Sequence, residues 1–233
     1  MYKKIGIIGA LGEEVEEFKN NLEDVEITKK AGMDFYQGLL NDKEVVVVKS
    51  GVGKINSAVC AQILIDIFEV EALINAGVAG SLLNDINIGD VVIAKDVVNH
   101  DMDATGFGHT YGEVPNMDKT YFEADEELVE KSVEICKRVN PDITPFVGRV
   151  LTGDQFISDR AKKEWLINTF NGYCTEMEGV SIGQTAWLNG VPFMIIRAIS
   201  DKADGSAEID YNDFKDAAIV HIVNIIMELV KEI

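Results

Sequence analysis

The sequence predicts an α/β protein, one domain over residues 1–233, with three layers around a central mixed sheet. Three observations predict it. Short apolar runs rich in β-branched residues recur along the chain, and segments of helical spacing alternate with them. An early section, residues 26–50, carries three strand-like runs, two of them joined by Asn41-Asp42, which adds hairpin pairing to the sheet. Apolar residues make up 47% of the 233, enough to fill one core of this size and too many for a disordered chain.

Taken in order, residues 4–11 form the first buried strand. A helix follows over 13–22, with Val15, Phe18 and Leu22 on one face and Glu13 and Glu14 in its first turn. Residues 26–30, 34–40 and 44–50 are strands. Ser50-Gly-Val-Gly-Lys54 then opens a helix that runs to about Phe68. This loop is not a triphosphate cradle, since Val48 stands where the first glycine belongs and Ile55 where Ser or Thr belongs. Its two glycines still allow backbone to approach a ligand. Residues 71–80 make a strand ending in small residues, and 89–95 another that continues into Val97–Gly108. A long loop covers 105–122. A helix spans 125–139, a strand 144–152, a short helix 160–170 and a further helix 180–188. Val191–Asp201 is the strongest strand signal, apolar almost throughout and buried on both faces. Residues 209–233 close with a long helix whose apolar face holds Phe214, Ala218, His221, Ile222, Ile225 and Leu229.

Composition excludes several functions. A net charge of −19 argues against nucleic acid and against an anionic membrane surface as partners. No apolar run reaches bilayer length, and the first residues enter a strand rather than a signal peptide. Cys60, Cys136 and Cys174 are few, odd in number and lack a C-x-x-C pair. They suit a reducing cytoplasm, with no disulfide framework and no zinc site. Arginine occurs only at 138, 149, 160 and 197, so the usual fork for phosphate is scarce.

The chemistry gathers at strand ends. The strand to Asp201 delivers Arg197, Ser200 and Asp201 to the rim of a dry core, where desolvation raises a carboxyl pKa toward that of a general acid. A turn aspartate or a partner for Arg197 is the plainer reading of the same stretch. Glu176-Met-Glu178 sets two carboxylates in an apolar context, where either is costly without a partner. Phe156 follows a strand end and suits either a stacked base or a core plug. His100, Asp101 and Asp103 have the residue types of a metal set, but one His with carboxylates two apart reads better as a polar loop or interface. His221 reads as a satisfied helix residue. Glu14, Glu178 and Asp201, with glycine-rich loops, no nucleophile motif and no cofactor motif, suit cleavage at a sugar carbon, which needs an acid for the leaving group and a base for water.

Seven segments then occur in a telling order: 5–15, 49–55, 75–80, 100–108, 152–157, 176–178 and 197–201. Together they resemble the bacterial 5′-methylthioadenosine/S-adenosylhomocysteine nucleosidases over essentially the whole chain. The resemblance implies a nucleoside phosphorylase-like fold and no cofactor. It implies Asp201 as the acid that protonates adenine N7, Ser200 as its orienting neighbour and Glu14 as the carboxylate that activates water. Glu178 would bind the ribose hydroxyls, with Met177 packed under the ribose and Arg197 near Glu178 and the water. Phe156 would stack on adenine, backbone at Ile157 would read the base edge, and Tyr211 would cover the base. Phe107 and Pro115 would close the alkylthio pocket of a second subunit, hence a homodimer. Leu11 replaces a common Met, and Val78 replaces a common Ser. The related phosphorylases hold phosphate with several arginines, so the scarcity of arginine favours water. A catalytically silent nucleoside sensor and a futalosine hydrolase are the other readings; an apolar 5′ lining would favour alkylthio groups over the latter.

Overall fold

The structure is a computed structural model and describes residues 2–233. Its ten strands are β1 (Lys4–Gly9), β2 (Glu23–Lys30), β3 (Met33–Leu40), β4 (Lys43–Lys49), β5 (Ala72–Ser81), β6 (Val91–Asn99), β7 (Phe122–Glu123), β8 (Pro145–Thr152), β9 (Cys174–Glu176) and β10 (Phe193–Asp201). The helices are α1 (Gly12–Asn20), α2 (Lys54–Asp66), α3 (Glu126–Val139), α4 (Arg160–Phe170), α5 (Gly179–Asn189) and α6 (Ala207–Glu232), and a 3₁₀ turn spans Thr105–Phe107.

One mixed sheet contains every strand. β4, β1, β5 and β10 run parallel side by side, and β2 and β3 continue from β4 as antiparallel hairpins. The hairpin turns follow from local chemistry. Asn41 and Asp42 take φ of 53° and 63°, and Ala31 and Gly32 take 47° and 79°; two successive left-handed residues match the twist of the flanking strands. Beyond β5 the sheet closes on itself. The pairings β5–β10, β10–β6, β6–β8, β8–β9 and β9–β5 make a ring of five strands, with β7 added to β6.

Alternation along the strands builds two cores. Ile5, Ile7, Val45 and Val47 face α1, α3 and α6, whereas Ile8, Val46 and Val48 face α2 and α5. Helices thus cover both faces, giving the expected layers. A smaller cluster, with Leu166 and Phe170 of α4, seals the end of the ring.

Three details differ from expectation. β9 is a strand of three residues, too short to leave a period in the sequence. β10 is buried at every position as expected, but pairs in parallel only with β5 and runs antiparallel to β6. On α6, Phe214 is 43% exposed rather than part of the core face, because continuous burial of that helix begins only at Ala218; apart from Ala207, its first turns are half-buried or exposed. His221 lies partly buried, with Nδ1 against the carbonyl oxygen of Gly89, as a satisfied helix residue.

Candidate active site

The carboxyl ends of β1, β5, β9 and β10 meet in one cavity of about 270 Å³. Its wall includes Glu14, Glu178 and Asp201, three carboxyls nearly hidden from solvent.

Glu14 sits in the first turn of α1. The N-cap residue, Leu11, has no polar side chain, so the carboxylate of Glu14 turns back and caps the helix itself. Its Oε2 accepts from the N–H groups of Ala10 (2.7 Å) and Leu11 (2.9 Å), and its Oε1 from that of Val78 (3.2 Å). Burial raises its pKa, while Arg197 and these three N–H groups favour the charged form. The side chain is therefore fixed, aimed across the sheet, and basic for a carboxylate.

Asp201 ends β10. Its Oδ2 accepts from the Ser200 hydroxyl (2.9 Å) and its Oδ1 from the Ala203 N–H (2.8 Å). Burial raises its pKa against the pull of those two bonds, and Asp210 and Asp204 add to the rise. Space for this side chain is made by Gly80 opposite, where a Cβ would stand 2.6 Å from Oδ1. Gly77 likewise makes room, since a Cβ there would meet Arg197 Nη1 at 2.8 Å and Glu14 Oε1 at 3.0 Å. The small residues at the end of β5 thus accommodate the protein's own charged groups as well as the cavity.

Glu176 is the residue that sequence reasoning set in a buried acidic pair without giving it a role. It lies at the end of β9, buried, and pairs with the Arg197 guanidinium. Thr152 donates to its Oε1, and the N–H groups of Glu178 (3.1 Å) and Gly179 (2.8 Å) donate to its Oε2. One carboxylate therefore caps α5, holds Arg197 and fixes the backbone of Glu178. A signal existed: an arginine inside a fully apolar strand requires a buried carboxylate partner, and the acidic pair at 176 and 178 was the nearest candidate. Arg197 lies behind the wall rather than in it, with Asn75 Oδ1 as its other side-chain partner.

Glu178 begins α5, and its Oε1 accepts from the N–H of Gly53 (2.9 Å). The glycine loop before α2 thus supplies a backbone donor, with φ of 84° at Gly51 and 96° at Gly53. Burial and the neighbouring Glu176 charge push the Glu178 carboxyl up to about 7, against Arg197 and the Gly53 N–H. Its folded pKa lies above the unfolded value near 4.5, so the folded state holds a proton that the unfolded chain releases between those values. Stability is therefore lost as pH rises through that window, by up to about 3 kcal/mol. Glu178→Gln keeps an acceptor for Gly53 and removes the charge. It is expected to be about 1–3 kcal/mol more stable than the parent at pH 8 and nearly equal to it at pH 4.5, by denaturant midpoints. A gain of the same size at both pH values would defeat this account.

The remaining wall is mostly apolar: Leu11, Val52, Val78, Phe156, Ile157 and Met177. Tyr211, from the first turns of α6, meets Phe156 edge to face with centroids 6.0 Å apart, so the two rings form one aromatic side of the cavity. Val78 contributes its N–H to Glu14 and a hydrocarbon surface to the cavity. Phe107 stands apart, 89% exposed on the 3₁₀ turn, and neither it nor Pro115 lines this chain's cavity.

The His100 loop divides its residues among separate tasks. Lys54 pairs with Asp101, and Asp103 accepts from the N–H and hydroxyl of Thr105. His100 is buried, neither ring nitrogen has a hydrogen-bond partner, and burial lowers its pKa to about 4. Among the described residues, no three His, Cys, Asp or Glu side chains gather as a metal set. Among the same residues, no helix is long and apolar enough to cross a membrane.

A family model described as the phosphorylase superfamily matches residues 4–231. A protein of Geobacillus sp. (strain WCH70) named 5′-methylthioadenosine/S-adenosylhomocysteine nucleosidase is 40% identical over 231 residues, covering 99% of each chain. The crystal structure of the Neisseria meningitidis protein of that name, in complex with methylthio-immucillin-A, superposes with a TM-score of 0.95 at 32% identity, covering 99% of this chain and 100% of that one. The native structure of futalosine hydrolase of Helicobacter pylori strain 26695 superposes with a TM-score of 0.94 at 31% identity, covering 99% and 98%.

Proposed function

The chain belongs to the phosphorylase superfamily and, within it, to the 5′-methylthioadenosine/S-adenosylhomocysteine nucleosidases, and from that premise we propose how its cavity hydrolyses the N-glycosidic bond of these nucleosides. Adenine stacks on Phe156, Tyr211 beside that ring covers the base, and the backbone at Ile157 runs along its edge. Asp201, held by Ser200 and favoured in its protonated form by burial, gives its proton to N7. The C1′–N9 electron pair then leaves with the base, and positive charge develops on the sugar. Glu178 accepts hydrogen bonds from the ribose hydroxyls, and Met177 packs beneath the ring. A water held by Glu14 bonds to C1′ and passes its proton to that carboxylate. The products are adenine and the 5′-thio-substituted ribose.

The observation that carries water, rather than phosphate, as the nucleophile is the use made of every arginine. Arg197 is paired with Glu176, Arg149 with Asp96, Arg138 with Glu232 and Arg160 with Glu164. Among the described residues, no lysine or arginine lines the cavity. A phosphate dianion would face Glu14 and Glu178 with no free cation beside it, at a cost of several kcal/mol. The three catalytic-type carboxyls, all present and oriented, speak against a silent sensor. The apolar lining supports an alkylthio 5′ group over the larger polar group of futalosine.

A second copy is proposed to complete the 5′ end of the cavity. Phe107, 89% exposed, and Ile55, 79% exposed, are large apolar side chains that water does not favour. The buried thiols of Cys60, Cys136 and Cys174 support a cytoplasmic setting. Adenine release from 5′-methylthioadenosine is expected to proceed at the same rate with and without phosphate and to yield free methylthioribose. Its specific activity is expected to fall on dilution as the dimer dissociates. A sugar 1-phosphate product would move the chain to phosphorolysis, and faster release from futalosine would reassign the substrate.

A further inference from the structure

Lys163 is an unusual lysine. It lies on α4, outside the cavity, yet it is 7% exposed. Its Nζ donates to the backbone carbonyl oxygen of Lys202. That carbonyl belongs to the peptide group joining residues 202 and 203, and the other end of the same group is the Ala203 N–H, which donates to Asp201 Oδ1 at 2.8 Å. Ala203 itself has φ of 50° and is fully buried. A non-glycine residue in the left-handed region holds that shape only where its surroundings impose it.

We propose that Lys163 is a positioning residue for Asp201: its ammonium grips the one peptide group whose N–H holds the Asp201 carboxyl, and its charge reaches the acid through that group. The proposal rests on the reading of Asp201 as the acid. Two effects follow from the geometry. The peptide plane cannot rotate while its carbonyl is held, so the Ala203 N–H stays aimed at Oδ1. A cation on the carbonyl oxygen also draws electrons from the amide, which makes its N–H a stronger donor. A stronger donor favours the charged carboxylate and so makes Asp201 a stronger acid.

This pull has something to oppose. Burial, Asp210 on α6 and Asp204 on the connecting loop all raise the Asp201 pKa, and Ser200 lowers it. Tyr211 on α6 lies close enough to sense Asp201, Glu14 and Glu13. Around Lys163 itself, burial lowers its pKa, Asp204 and Asp201 raise it, and Lys202 and Arg160 lower it. Lys163 is the buried cation beside this otherwise acidic group, and its link to Asp201 runs through a single peptide bond.

The test is the pH profile of kcat/KM for adenine release from 5′-methylthioadenosine, with melting temperatures as a check of folding. Lys163→Met is expected to lower kcat about tenfold and to move the alkaline limb upward by about half to one pH unit, because Asp201 loses a group that favours its ionised form. Lys163→Arg, which keeps a charged donor, is expected to return the limb toward the parent position. Should Lys163→Met not fold, Lys163→Gln keeps a donor without charge and gives the same readout. An alkaline limb that stays in place, or moves down, in a folded neutral variant overturns the proposal. Asp201→Asn run in parallel separates the two levels: activity retained in that variant defeats the acid assignment itself, whereas an inactive Asp201→Asn with an unmoved Lys163→Met limb defeats only the relay.

Discussion

Asp201→Asn is expected to cut kcat for adenine release by about 10³-fold, within the range that loss of a general acid produces. Asparagine fills the same space opposite Gly80 and still accepts from Ala203, so the fold is retained. What it cannot do is surrender a proton to the departing base. KM is expected to change little, since Asp201 acts as the bond breaks. The pH profile gives a second check. In the parent, activity falls as pH rises through the raised Asp201 pKa, because only the protonated acid works. The residual activity of the variant is expected to lose that alkaline limb. A folded Asp201→Asn protein with near-parental turnover would dispose of the acid assignment.

Arg197→Met is expected to destabilise the protein by about 3–5 kcal/mol at pH 8, the cost of leaving a buried ion pair half-broken. The guanidinium is 1% exposed and answers Glu176 directly, with Glu178 and Glu14 close enough to feel it. Without it, three buried carboxylates share a region with no cation, and the raised folded pKa values of Glu14 and Glu178 climb further. The arginine lowers those values in the parent, so its contribution is present at high pH and is lost as the carboxyls take up protons. The stability gap between variant and parent is therefore expected to narrow from pH 8 toward pH 4.5 in denaturant titrations. A gap independent of pH would mean that lost packing, not charge, sets the cost.

The sequence displayed this site unevenly. Asp201, Arg197 and Glu14 were legible because each interrupts or follows an apolar run, where a charge needs a reason. Glu178 stood out by its proximity to a second carboxylate. The partner relations were not legible: Glu176 meets Arg197 across 21 residues and Lys163 meets Lys202 across 39, and no local period encodes such pairs. The three-layer α/β class followed from alternating strands and helices. Closure of the β5–β10–β6–β8–β9 ring did not, because it depends on a three-residue strand and on β10 serving two neighbours of opposite direction. The exposure of the first turns of α6 was hidden because Phe214 keeps a helical apolar spacing even where the helix is exposed. Phe107 reads as apolar in sequence, but only the fold leaves it projecting from its turn.

The strand ring has a consequence for how such a protein diversifies. Glu176, Arg197 and Asp201 all sit on strands of that ring, and Val78 on β5 anchors Glu14 to it. A ring has no terminal strand to fray or to slide, so the relative placement of Glu176, Arg197, Asp201 and the anchor of Glu14 is inherited as a block. Other parts of the cavity wall hang from this block: the turn bearing Phe156 and, through Tyr211, the first turns of α6. Substitutions there alter the portal without re-registering a single ladder. The shape of the opening can change by mutation at the rim while the residues seated on the ring keep their places.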